Sequence, residues 1–116
     1  MLSILLATVL VVGMPLACRL DAFTPDERTR HHALGETLAR AVLERRELRS
    51  GFAFRLTDNA DMFQEAAEWV ALERRCCPFL RFKLEWNGSK GGPWISLTGP
   101  PGTKAFLGTA LGMLER

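Results

Sequence analysis

Between Thr24 and Leu114 the apolar residues switch repeatedly between a spacing of every third or fourth position and a spacing of every second, with no linker, low-complexity tract or internal repeat at the switches. A period of 3.6 builds a helix with one apolar stripe, and a period of two builds a strand with one apolar face. The chain must therefore alternate helices and strands around a common core. At 116 residues, 47% hydrophobic and 24% charged, it is long and apolar enough for one such core, which excludes a disordered, collagen-like or repeat-array architecture.

Thr24-Pro25-Asp26-Glu27 is a helix start: Thr24 caps, Pro25 suits the first helical position, and Glu27 closes the capping box. A helix is expected from there to about Leu48, with Leu34, Leu38, Ala41 and Val42 facing the core and Ser50-Gly51 ending it. Phe52, Phe54 and Leu56 alternate with Ala53 and Arg55 as a strand. Asp58 or Asn59 caps a second helix whose apolar stripe is read as Phe63, Ala66, Ala67, Val70 and Cys77. Pro78 stops it, because proline cannot donate to the helical ladder. Phe82 to Trp86 and Trp94 to Thr98 read as two strands of a hairpin around the turn-rich Asn87 to Pro93. Gly99-Pro100-Pro101-Gly102 opens a last helix with Ala105, Leu107, Ala110, Leu111 and Leu114 on its apolar side. With Leu16 to Leu20 as a first short strand, the expected order is βαβαββα. That order implies an α+β two-layer sandwich, a mostly antiparallel four-stranded sheet with helices on one face.

Leu2 to Ala17 carries no charge. It lacks the basic start of a signal peptide and is short of the roughly 20 apolar residues of a membrane span. Residues 1–13 are read as an apolar extension, either signal-like, an anchor, or an over-extended start with the α+β domain beginning at Met14. The late start implies a cytoplasmic protein. Retention of the segment implies export or membrane anchoring. Fifteen basic against 13 acidic residues leave a formal charge too balanced for a nucleic-acid-binding face. Gly99-Pro100-Pro101-Gly102-Thr103-Lys104 lacks the spacing of a phosphate loop.

The chemistry-bearing stretch is Glu73-Arg74-Arg75-Cys76-Cys77-Pro78-Phe79. Three cysteines are too few for a disulfide scaffold and, being odd in number, cannot all pair internally. A vicinal disulfide requires a distorted peptide, so Cys76 and Cys77 are read as two thiols. Thiolates favour soft ions such as Cu(I), Zn(II), Hg(II) or As(III). Arg74 and Arg75 favour the thiolate, whereas the partial negative charge of a helix C-terminus opposes it. If Cys18 on the first strand reaches the pair, Cys18, Cys76 and Cys77 form a three-thiol metal site; a tetrahedral zinc site needs a fourth ligand. His31-His32 is the nearest candidate in type, but both are read as solvent-facing helix surface and left out of the site. Glu73 is the candidate proton donor of a thiol enzyme, set against a solvated helix-face glutamate. The competing reading of the cysteines is inert core, since cysteine is among the most buried residue types and Cys77 continues an apolar stripe. Metal chemistry requires a solvent path to at least one of the two sulfurs, with Arg74 or Arg75 close by.

Cys18-Arg19-Leu20-Asp21, Thr24-Pro25-Asp26-Glu27-Arg28, Gly51-Phe52-Ala53-Phe54, Glu73 through Leu80 and Leu97-Thr98-Gly99-Pro100 together resemble a small bacterial protein family with a Glu-Arg-x-Cys-Cys-Pro-Phe motif and an N-terminal Ala-Cys-x-Leu segment. The resemblance spans about Leu16 to Leu107. It implies compact cytosolic proteins that start just before Cys18, some of them associated with heavy-metal resistance genes. It also implies a shared role for Cys18, Cys76, Cys77 and Glu73.

Three functions follow from these residues. The first is a soft metal or metalloid thiolate-binding protein, acting in sequestration or sensing. The second is a thiol-dependent enzyme acting on an organometal or other thiophilic substrate. The third is a protein-interaction module with structural cysteines and an exposed patch of Trp69, Trp86 and Trp94.

Overall fold

A computed structural model describes residue 16, residues 19–88 and residues 91–110. After a short 3-10 turn at Leu20–Ala22, helix α1 runs Pro25–Ala41. It starts as the sequence predicts. Thr24 Oγ1 accepts the Glu27 N–H at 3.1 Å while Glu27 Oε1 accepts the Thr24 N–H at 3.0 Å, a closed capping box. Leu34, Leu38 and Ala41 are its buried residues.

The expected continuation to Leu48 does not occur. Val42–Leu48 is strand β1, paired antiparallel with β2 (Gly51–Leu56). Leu-Glu-Arg-Arg-Glu-Leu has ample helix propensity, so pairing with a neighbouring strand overrides local preference here. The break is held by Thr57, whose N–H and Oγ1 both donate to the Ala41 carbonyl, at 3.0 and 3.3 Å. β1 is an edge strand, and its exposed run of Glu44, Arg45, Arg46 and Glu47 discourages pairing with another chain.

Helix α2 spans Ala60–Cys76, capped by Asn59, whose side chain accepts the Met62 N–H at 2.6 Å. β3 (Arg81–Glu85) and β4 (Trp94–Thr98) follow, then helix α3 (Thr103–Ala110). The four strands form one antiparallel sheet in the order β1-β2-β4-β3. The α+β fold and the four-stranded antiparallel sheet are as expected, but the sheet's first member is Val42–Leu48. The predicted strand Leu16 to Leu20 falls partly outside the described residues, and its described part holds no strand. The element order over the described residues is αββαββα rather than βαβαββα.

Phe52, Phe54 and Leu56 of β2 and Ile95 and Leu97 of β4 point to one side of the sheet, where they are buried with Leu34, Leu38, Trp69 and Leu107 of the helices. At Gly51 a Cβ would stand 1.8 Å from the Leu97 carbonyl oxygen, so only glycine lets β2 approach β4 at that point. The other side of the sheet carries a groove of about 570 Å³ lined by residues including Arg46, Arg81, Lys83, Trp94 and Ser96. No helix among the described residues is long and apolar enough to cross a membrane. Residues 1–15, with the apolar extension and the alternative start at Met14, lie outside the described residues.

Candidate metal centre between the first two helices

The buried stripe of α2 is Met62, Ala66, Trp69, Glu73 and Cys76. It is displaced around the helix from the expected line through Phe63, Ala67 and Val70. Spacings of four, three, four and three residues keep these five on one face. Glu73 thus lies on the same line as Trp69 and is carried into the core with it. The solvated-glutamate reading is corrected: Glu73 is 0% exposed.

Helix α1 runs antiparallel beside α2, and two ion pairs pin them. Arg30 forks onto Glu68 at 2.8 and 2.7 Å. Arg75 forks onto Glu27 at 2.9 and 3.1 Å and donates to the Ala22 carbonyl at 2.8 Å. The Arg75 guanidinium, with the Thr24 backbone N–H second, lowers the Glu27 carboxyl from 4.5 to about 2. The expected task of Arg75, favouring a thiolate, is therefore not what its contacts show, and Arg74 is exposed.

Between these pins His31 of α1 meets Glu73, with Nε2 and Oε1 2.5 Å apart. The sulfur of Cys76 donates to the same Oε1 at 3.6 Å. His31 packs against Phe23 at 4.9 Å and lies nearly parallel to Trp69 at 6.3 Å, measured between ring centroids. The donor atoms of His31, Glu73 and Cys76 all lie within 4.8 Å of one another. Pro78 ends the helix where expected, and Cys77 caps it with its N–H on the Glu73 carbonyl at 2.7 Å. The sulfurs of Cys76 and Cys77 are 3.5 Å apart, far beyond the roughly 2.05 Å of a disulfide, so they are not bonded to one another.

Of the sequence candidates, Glu73, Cys76 and Cys77 come together. Cys18 lies outside the described residues. His31, which the sequence reading leaves out, is inside the site, whereas His32 is exposed and faces Glu36 at 3.4 Å. The signal for His31 was present: it stands three residues before Leu34 and seven before Leu38, on the stripe already read as core-facing. Both cysteines are fully buried, so the expected solvent path to a sulfur is not observed. His31, with 14% of its side chain exposed, is the member of the cluster nearest solvent. The three tryptophans do not share a patch: Trp69 is core, Trp86 stacks on Phe63, and Trp94 lies under Arg46.

A buried carboxylate costs several kcal/mol unless it is paired. Here it has an imidazole and a thiol as partners. The three groups meet in one hydrogen-bonded cluster, and imidazole nitrogen, carboxylate oxygen and thiolate sulfur are all metal-ligand types. Comparison of the chain with protein-family models, with curated proteins and with solved structures finds no match in any of the three.

Proposed function

We propose that the chain is a soft metal or metalloid thiolate-binding protein of the Hg(II), As(III), Cu(I) or Zn(II) class, acting in sequestration or sensing. The observation that carries the reading is the convergence of Cys76, Glu73 and His31 donor atoms within 4.8 Å, with the Cys77 sulfur 3.5 Å from that of Cys76. A thiolate pair is the feature that selects soft ions. Cys18 belongs to the proposed ligand set on the sequence reading alone and lies outside the described residues. The resemblance of the Glu73 to Leu80 segment to a family with members beside heavy-metal resistance genes points the same way. A second reading, a thiol-dependent enzyme acting on an organometal, draws on the Glu73 carboxyl beside the Cys76 sulfur. In that step the Cys76 sulfur takes the metal and gives its proton to Glu73 Oε1, which passes it to carbon as the carbon–metal bond breaks, leaving a hydrocarbon, a carboxylate and a thiolate-held ion.

The test is native mass spectrometry of the reduced full chain with one equivalent of each ion, alongside alkylation of the native protein. Metal binding predicts a one-to-one adduct and blocked alkylation at Cys76 or Cys77, both lost in the Cys76→Ser plus Cys77→Ser variant. No adduct with any ion, and thiols that react only on unfolding, would assign the cysteines to inert core. Phenylmercury in the same series decides the second reading: release of benzene that disappears in Glu73→Gln supports it, and a stable phenylmercury adduct overturns it.

A further inference from the structure

Resting on that proposed function, we infer that the resident ion is a borderline dication of the Zn(II) type, held by a mixed sulfur, oxygen and nitrogen set of Cys76, Glu73 and His31, rather than an all-sulfur Hg(II) or As(III). The first ground is donor chemistry. Zinc takes thiolate, imidazole and carboxylate alike, whereas a carboxylate is a hard ligand that adds little for a very soft ion. A site built only for mercury or arsenite has no use for a fully buried glutamate aimed at the same point as a cysteine sulfur.

Spacing is the second ground. With bonds of about 2.0 Å to oxygen or nitrogen and 2.3 Å to sulfur, two ligands on a tetrahedral ion stand about 3.5 Å apart. The Cys76 sulfur and Glu73 Oε1 already stand at 3.6 Å. Two sulfurs on one such ion lie about 3.8 Å apart, close to the 3.5 Å between Cys76 and Cys77. His31 Nε2 and Glu73 Oε1 share a hydrogen bond at 2.5 Å and must part by about 1 Å for an ion to replace the proton. His31 is the group placed to make that move, since the carboxylate and both cysteines are fully buried while the imidazole edge is partly exposed. It is therefore the ligand through which the ion enters, and binding exchanges the protons of the cluster for the metal.

Cobalt(II) is the probe, because it reports zinc sites optically. The reduced full chain titrated with Co(II) should develop sulfur-to-cobalt charge-transfer absorption with tetrahedral d–d bands, and one equivalent of Zn(II) should abolish both. His31→Ala should weaken Co(II) and Zn(II) binding by more than about tenfold, the loss already seen when groups one shell further out are removed, and by more than it weakens Hg(II) binding. X-ray absorption of the zinc-loaded wild-type protein needs no variant and should show imidazole scattering beside one or two sulfurs. An all-sulfur shell, or stoichiometric Hg(II) binding without any Co(II) spectrum, overturns the mixed-ligand inference and leaves thiolate binding standing. Failure of every ion to bind overturns both.

Discussion

The position with the greatest energetic consequence is Glu73. A carboxylate with no exposure costs several kcal/mol to bury, and the His31 imidazole at 2.5 Å offsets that cost. Removing one partner of such a pair strands the other. His31→Ala should therefore destabilise the fold by about 3–5 kcal/mol in denaturant titration of the metal-free protein. Replacing both groups, as His31→Leu with Glu73→Met, should recover most of that loss, because no charge remains to be desolvated. If His31→Ala costs less than about 1 kcal/mol, the His31 contact is not what offsets the burial of Glu73. The comparison also separates stability from ligation, since the double variant should fold and still fail to bind Co(II).

For the elements, the informative case is the boundary between α1 and β1. Local signals name the start of α1 correctly because a capping box is written in four consecutive residues. They do not name its end. Val42–Leu48 carries no helix-breaking residue, and its strand register exists only in the presence of β2: Arg45 opposite Phe54, Glu47 opposite Phe52. An isolated peptide of residues 24–48 should accordingly show helical chemical shifts running past Ala41, with no extended preference at Val42–Leu48. Extended shifts there in the free peptide would mean that the strand is locally encoded after all. The displaced stripe of α2 has a related cause. Phe63, Ala67 and Val70 make an apolar line, but the sheet takes the line containing Trp69, whose ring meets Phe82 edge-on at 6.2 Å between centroids.

Across the whole molecule, helices α1 and α2 are joined by charge as well as by core packing. Arg75 lowers Glu27 from 4.5 to about 2, and Arg30 lowers Glu68 below its ordinary range through the forked hydrogen bond. A depressed carboxyl contributes stability that is fully present above the unfolded-state value and is lost as pH falls through the folded-state value. The thermal midpoint should therefore hold from neutral pH to about 4.5 and decline toward pH 2. Glu27→Gln should remove part of that decline, and 1 M salt should flatten it, since both pairs are solvent-facing and screened. An acid limb identical in Glu27→Gln and wild type would show that the Arg75 contact does not stabilise the fold.

What the amino-acid order determines by itself is whatever depends on neighbours in the chain. That covers the helix starts at Thr24 and at Asp58 or Asn59, the stop at Pro78 directly after Cys76 and Cys77, the alternation that makes strands of Phe52 to Leu56 and Trp94 to Thr98, and hence the α+β class with an antiparallel sheet. The candidate site was legible to the same extent: Glu73, Cys76 and Cys77 stand within five residues on one helix end. Tertiary structure alone decided that Val42–Leu48 is an edge strand, that α2 presents Glu73 inward, and that His31, 42 positions away in sequence, closes onto it. The physical reason is common to all three. Helical and strand periodicities say that one face of an element is buried, whereas which face wins, and which polar group it carries inside, depends on shape and charge across a contact between elements distant in the chain.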